Sequence, residues 1–582
     1  MSVILLLILL ILVIISLALL GKELPVSNNL TVVNQDFFPE IRVDLGPSGQ
    51  AVQTGWIGWS GGFLKTFNAP FGSFTATLNS GNNWLDNGEL IELDPDNNPL
   101  LIKTAKTDLF RDGYATTYDN IILTLKGLRA GPYTITLYSC NTAKGTTGFW
   151  ADFKVKLTDA CSQDAVILKK QHTYGLDSYH YAAATPFSFT SNGTDEIIIT
   201  MARTRGELWL NGFAITPMDL KEISFSHPMT VINRDELSVV NELIAKNISP
   251  QAPAYQRLIA DADEALQFIP DPPVNMNIMS SYELGNNLQE MRAWLWKNCH
   301  AAYCTALAYV YSGKMDYADK SVEILNAWAR KATTFNGAES GLQLGSFFTP
   351  MLYAADLLSN YSKWSDSDQK VFKEWWRRNC LIHTIKVMYS RDNNWKDAGI
   401  LGVLAGAVVL EDPVLLYEAL VELASYSYGD WKLKRNNNTV YLPREVHRNS
   451  GRNGITYTNY AFTCLVQALE IARYAGFNFW NLKTTSGATL KEAIESLFKW
   501  DVLGAPFLWN PNPSRRINRK NTYEIANNHF ELIPEIHSWL KANRPVNGIQ
   551  GDEYVTLNKG DIPPLSSNHF IVKAQEIKGK LD

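Results

Sequence analysis

The sequence predicts a multidomain β + α chain: an N-terminal antiparallel β-sandwich (jelly roll) followed by an all-α (α/α) toroid. Three observations carry that expectation. Residues 29–220 break into short segments that alternate apolar and polar side chains, as half-buried strands do. From Asp235 onward the period becomes helical, in at least ten stretches joined by short polar loops. At 582 residues the chain exceeds what one hydrophobic core holds, so the change of period marks a domain boundary.

The first element is the apolar run Val3–Leu20 inside MSVILLLILLILVIISLALLGKELP, interrupted only by Ser16. Residues 1–22 read as a signal peptide or an uncleaved signal anchor, since the length sits between the two. Export is therefore expected, with any membrane contact limited to this segment. Sequons at Asn29, Asn192, Asn247, Asn360 and Asn437 agree with a secreted glycoprotein. Six cysteines permit disulfides there, Cys140 with Cys161 being the candidate pair, whereas Cys299 and Cys304 lie on one helical pattern and do not pair with each other. No CxxC or HExxH occurs, so a zinc site is not expected, and no cofactor is called for. A net charge of −5 gives no basic excess, which argues against nucleic acid as a partner.

In the region 29–220 the segments SFTATLN, NIILTLKGL, PYTITLYS, DFKVKLT, EIIITMA and LWLNGFAI read as strands, separated by turn-forming GNNW, DPDNNP, RAGP and SNGTD. Trp56, Trp59 and Trp84 are either stacking residues for sugar faces or core tryptophans. The helical region spans 230–545 and shows no fixed-period repeat, which favours a toroid over a regular solenoid. Residues 546–582 read as an irregular C-terminal tail.

Chemistry concentrates in three polar stretches of the helical region. The segment Glu445–Tyr460 places His447, Arg448, Arg452, Tyr457 and Tyr460 in a glycine-punctuated loop, running into an apolar helix from about Thr458 to Ala475 with Gly476 as its C′ residue. Arginine offers a planar fork to carboxylates, so this loop suits an acidic ligand. A plain basic turn with Glu445 pairing Arg448 is the structural alternative. Asn393, Asn394 and Trp395 stand at the mouth of another apolar helix, where the amides either cap it or bind a carboxylate. His529, between amides and Phe530, and His300, on a helix with Arg292 and Trp296, either line the same cleft or serve structure.

The order NNW…AGAVVL, PREVHRNSGRNGITYTNYAF…ALEIARYAG and YEIANNHFE is similar to the alginate-lyase-like polysaccharide lyases, including glucuronan-type members, over about 235–540. LNAWAR and FFTPMLYAADLL also look like that family's toroid helices. The resemblance implies an α/α toroid that cleaves a uronic-acid polymer by β-elimination. It carries Asn394 and Arg448 over as groups that neutralise the uronate carboxylate, with Arg452 in support, and Tyr457 as the proton-transfer residue, with Tyr460 next in line. Asn393, Trp395, His529 and His300 fall in the substrate-binding set, and His447 is an alternative base. Two positions depart from the pattern: Trp395 and Arg452 stand where such lyases often carry histidine. Likewise, VDLGPSGQAVQTGWIGW, LRAGPYTITLYS and ELWLNGFAI resemble galactose-binding-like jelly rolls, which implies a sugar-binding module.

The expected partner is thus an acidic polysaccharide, acted on by a monomer. Two rivals remain at this point. A toroid glycoside hydrolase needs paired carboxylates, and Glu283, Glu290, Glu445 and Glu524 are its candidates. A non-catalytic carbohydrate-binding protein would fit the two missing histidines.

Overall fold

Alternating burial along the strands builds the first half of the molecule. The computed structural model describes residues 41–562, apart from 87–111, 140–149, 158–168, 218–223, 428–431, 515–520 and runs of at most three residues elsewhere. One sheet has five strands in the order Ala183–Ser191, Gly131–Ser139, Gly212–Pro217, Ile41–Leu45, Ile57–Trp59. A second has six, in the order Lys169–His172, Trp150–Leu157, Ile197–Arg205, Ile121–Lys126, Gly72–Leu78, Leu64–Ala69. Val43, Ile135, Leu137, Phe213 and Ile215 of the first sheet share one hydrophobic cluster with Phe74, Leu123, Leu125, Ile197 and Ile199 of the second. Every other residue faces inward, so the two sheets close on each other as a sandwich. The pairing is antiparallel except where Ile57–Trp59 runs parallel to Ile41–Leu45. Trp59 is fully buried and Trp56 nearly so, while Trp84 packs partly buried against the same core. Of the two readings of these tryptophans, core packing is the one the burial supports.

The helical half holds a separate cluster. Its helices are α1 (Arg234–Ala245), α2 (Gln251–Ala265), α3 (Leu288–Ser312), α4 (Met315–Lys331), α5 (Ser340–Ser346), α6 (Thr349–Leu357), α7 (Asp366–Trp375) and α8 (Leu381–Ser390). They continue with α9 (Asn394–Leu410), α10 (Pro413–Ser427), α11 (Pro443–Val446), α12 (Gly454–Tyr474), α13 (Leu490–Asp501), α14 (Asn521–Ala526), α15 (Pro534–Asn543) and α16 (Val555–Lys559). Contacts run from α2 to α3, α6, α9, α12, α14, α16 and back to α2, which closes a ring. Outside it α4 packs on α3, α8 and α10 on α9, α13 on α12 and α15 on α14, giving the double layer of a toroid.

The ring is tight where sequence allows it. Helix α9 is apolar on all sides and buried almost throughout, as expected of a helix in the middle of a large core. A side chain at Gly402 would meet the Gly345 Cα at 2.8 Å, and one at Gly345 would meet the Ala398 carbonyl oxygen at 2.2 Å. Glycine at these positions lets α9 and α5 touch backbone to backbone.

Ring closure corrects the expected irregular tail over 546–562, and 563–582 lie outside the described residues. Gln550–Lys559 is buried, and α16 ends on Lys559, whose ammonium meets Glu236 at 2.9 Å and Glu470 at 2.7 Å. Long-range ion pairs hold this five-residue helix, and no local period announces them. Cys299, Cys304 and Cys380 are free and buried, and Cys464 is buried as well. Cys140, Cys161, Asn29 and the leader 1–22 lie outside the described residues. Among the described residues no helix is long and apolar enough to cross a membrane. Asn192, Asn247, Asn360 and Asn437 are exposed.

Candidate active site

The polar loop turns back on itself through an unusual backbone. Asn449, Ser450 and Gly451 take φ of 52°, 50° and 79°, three left-handed residues in succession. Only Gly451 does so without a Cβ penalty. A Cβ there would also collide with the Trp509 carbonyl oxygen at 2.4 Å. The segment around Trp509 holds the turn in place: Asn510 Nδ2 donates to the Ser450 carbonyl at 3.0 Å, and the Ser514 N–H donates to the Arg452 carbonyl at 2.6 Å. Strain held by surrounding contacts is a frequent mark of a functional segment.

The turn delivers the chain into α12, which starts at Gly454, four residues before the helix the sequence suggested. Tyr457 therefore stands in the first turn, half-buried. The Arg448 guanidinium lies over its ring, 4.2 Å from the centroid, a cation–π contact that holds positive charge beside the phenol. His447 and Arg452 are exposed at the turn. The His447 ring meets Trp509 edge-on at 5.9 Å, and this partial shielding from water together with Lys434 lowers its pKa. Tyr441, Trp500 and Phe507 also pack on Trp509, making an aromatic wall beside the loop.

Glu445 links this loop to α9. It is fully buried, and its Oε1 accepts the Asn394 N–H at 2.5 Å. Its second oxygen has no hydrogen-bond partner, and neither does the amide of Asn394, itself fully buried. Burial pushes the Glu445 carboxyl up to about 7, against Lys432 and Arg448, with Asp397 adding to the rise. Asp397 and Lys432 form a buried ion pair at 2.6 Å behind it. The reading of Glu445 as an exposed partner of Arg448 thus gives way to a buried strut.

Other sequence candidates fall into place one by one. Asn393 caps α9, its Oδ1 accepting the Trp395 N–H at 3.1 Å. Trp395 lies under the Arg391 guanidinium, 4.6 Å from the ring centroid. Tyr460 is buried, with its hydroxyl 3.3 Å from Ser346 Oγ, so it points into the ring rather than to the loop. His529 bonds Glu470 at 2.6 Å and stacks on Trp480 at 3.9 Å. Glu470 lies thirteen residues beyond Tyr457 on one helix, about 20 Å away at 1.5 Å per residue, so His529 does not join the loop. His300 bonds Glu553 at 2.6 Å and stacks on Trp296. Burial pulls its pKa down, but the Glu553 carboxylate outweighs that and raises it. Both histidines are taken up by long-range contacts with carboxylates that sequence order conceals.

Trp509, Arg391 and Lys432 were missed by sequence reasoning. A tryptophan inside the proline- and asparagine-rich FLWNPNP was the available signal for the first; Lys432 had none. Two surface hollows of about 390 and 480 Å³, bordered by Asp366–Arg377 residues and by Ser249 with Arg544, contain none of the loop residues.

Residues 251–507 match the family model described as alginate lyase. No curated protein matches the chain. Among solved structures, alginate lyase A1-III from Sphingomonas species A1 is 16% identical, covering 58% of this chain and 98% of its own, with a TM-score of 0.46. An alginate lyase from Bacteroides ovatus is 19% identical, covering 61% of this chain and all of its own, with a TM-score of 0.43. The helical region is alginate-lyase-like, as the resemblance in the sequence implied, and the family match supports a polysaccharide lyase.

Proposed function

We propose that the chain is an exported polysaccharide lyase that cleaves a uronic-acid polymer by β-elimination, with Tyr457, Arg448 and Asn394 as its reacting groups. The observation that carries this reading is the Arg448 guanidinium 4.2 Å over the Tyr457 ring, at a loop tied by Glu445 to the Asn394 helix. The proton α to a uronate carboxylate is weakly acidic, and the charge left by its removal spreads onto that carboxylate. The reaction therefore needs the carboxylate neutralised, the proton taken and the leaving glycosidic oxygen protonated. Arg448 supplies a cation for the first task, and the unpartnered amide of Asn394 supplies hydrogen-bonding capacity for the same charge. That amide is shut from solvent, so substrate engages it only after the loop moves. Tyr457 moves the proton, beside the guanidinium that covers its ring. His447 stands at the same turn as an alternative base, and Arg452 at its exposed rim adds attraction for a polyanion.

A hydrolase finds less support. Glu524 is engaged by Arg544 at 2.7 Å and Thr556 at 3.0 Å, and Glu283 accepts the N–H of Ser280 in its own loop. A hydrolase needs two carboxylates flanking a bound glycosidic bond, and Glu445 and Glu524 are both fully buried. The test is a panel of alginate, glucuronan and related polyuronates read by near-ultraviolet absorbance. Elimination yields an absorbing unsaturated sugar on at least one polymer. Binding without cleavage on the whole panel selects the non-catalytic carbohydrate-binding reading, and cleavage without absorbance selects hydrolysis.

A further inference from the structure

Three groups assigned above to the reaction come from two separate elements, and one side chain joins them. Asn394 opens α9, while Arg448 and Tyr457 belong to the loop and the first turn of α12. Glu445 precedes Arg448 by three residues, and its Oε1 accepts the N–H of Asn394, fifty-one residues away in sequence. The residue is fully buried, its Oε2 has no partner, and the Asn394 amide beside it has none either. A structural strut normally satisfies both oxygens, because an unpaired buried polar atom costs roughly 1–3 kcal/mol.

We propose that Glu445 is a positioning residue of this site: its carboxyl group ties the start of α9 to the Arg448 turn and sets where Asn394 stands relative to the Arg448–Tyr457 pair. The proposal rests on the lyase reading for its catalytic consequence, though not for the coupling itself. Charged groups face the carboxyl from each side: Lys432 from the segment before Lys434–Asn436, Arg448 from its own loop, and Asp397 from α9 with Lys396 acting on Asp397 in turn. An ionised Glu445 draws Arg448 toward itself, whereas a protonated one leaves the guanidinium to the Tyr457 ring. The carboxyl changes form near neutrality, because burial raises it to about 7, so the spacing of the reacting groups changes over the same range.

The test uses the full chain with ¹³C at the tyrosine Cζ positions, the Tyr457 signal being identified by its loss in Tyr457→Phe. In the wild type that signal is expected to step at a pH near 7, apart from the phenol's own ionisation. Glu445→Gln keeps an acceptor for the Asn394 N–H but cannot ionise, so the step disappears while the other tyrosine signals stay. On the best polyuronate, Glu445→Ala lowers kcat roughly a hundred-fold with a small change in KM, and Glu445→Gln restores most of it and removes the inflection near pH 7. A wild type without the step, or a step that persists in Glu445→Gln, overturns the proposal, and this holds even where Glu445→Ala fails to fold. If the step behaves as expected but no polyuronate is cleaved, the coupling stands and the lyase reading falls.

Discussion

Helix α12 presents two kinds of polar chemistry at its two ends. At the C-terminal end Glu470, Arg473 and Tyr474 meet Glu236, His529 and Lys559 in a buried network. Glu470 alone receives Arg473, Lys559 and His529, and none of the six side chains leaves a buried polar atom without a partner. At the N-terminal end the Asn394 amide, one Glu445 oxygen and the Thr458 hydroxyl are buried without partners, and the chain leading in holds three left-handed residues. The same helix is thus satisfied where it closes the ring and unsatisfied where the proposed reacting groups gather. A network with every bond made specifies a fold; a site with open valences and held strain is arranged for something that arrives later. Charge density alone does not separate the two ends, since both are rich in ionisable groups.

The comparison breaks most visibly at the paired end. Glu470→Ala leaves Arg473 and Lys559 buried against one remaining carboxylate, Glu236. Removing one partner of a buried pair costs roughly 3–5 kcal/mol. Chemical denaturation is expected to register that loss, while turnover per folded molecule on a polyuronate stays close to wild type. A large fall in kcat without a fall in stability would reverse the roles assigned to the two ends.

Tyr457→Phe is the mirror experiment. It removes one hydroxyl at a half-buried position and leaves the ring under Arg448, so the denaturation midpoint should hold. Loss of a proton-transfer or electrostatic group lowers rate by roughly a hundred- to a thousand-fold. Polymer binding should persist in Tyr457→Phe and weaken in Arg448→Ala, which a pull-down on insoluble polyuronate separates. Near wild-type turnover in Tyr457→Phe would remove Tyr457 from the mechanism.

How much of this was legible in the sequence follows from what is local. Strand alternation and helical period are local, and PYTITLYS and EIIITMA indeed lie in the strands Gly131–Ser139 and Ile197–Arg205. The loop was legible because arginine, histidine and tyrosine crowd a glycine-rich stretch leading into an apolar helix. Pairings across the ring were not legible. A glutamate reads as a surface residue, yet Glu445 is fully buried because a bond to an N–H fifty-one residues earlier holds it inside. His529 and His300 looked available for chemistry, and Glu470 and Glu553 had already claimed them. The segment VTLNK carries no period, and its place in the ring depends on Lys559 finding carboxylates from α1 and α12.

The two ends should also answer pH with opposite sign. Burial raises Glu445 to about 7 in the fold, above its ordinary value of 4.5. Its stabilising contribution is therefore complete below pH 4.5 and is lost as pH rises through 7, a change of roughly 3 kcal/mol at most for this shift. For Glu470, burial alone would raise the carboxyl, but Arg473, Lys559 and His529 hold it well below the ordinary range. Its contribution is present above pH 4.5 and is lost on acidification. Denaturation between pH 4 and 8 should show the neutral slope vanish in Glu445→Gln, and a wild type whose neutral slope matches that variant would contradict the assignment.

The smallest expected effect sharpens the line between neighbours. Asn393 and Asn394 are adjacent amides at the start of α9, and only one of them is satisfied. Asn393 Oδ1 accepts the Trp395 N–H at 3.1 Å, as an N-cap residue does, whereas the Asn394 amide is buried without a partner. Replacing an N-cap asparagine by alanine costs typically about 1 kcal/mol. Asn393→Ala should lower the denaturation midpoint modestly, Asn393→Asp should restore it through the same acceptor, and neither should alter turnover per folded molecule. Asn394→Ala removes an amide whose hydrogen bonds are unmade in the free protein, so its stability cost should be limited to the lost packing. Its kcat on a polyuronate should fall sharply if this amide binds the substrate carboxylate, as the proposed function has it. The opposite pattern, with rate lost at Asn393 and kept at Asn394, would mean that the satisfied amide does the chemistry and that unmade bonds are no guide to function at this helix.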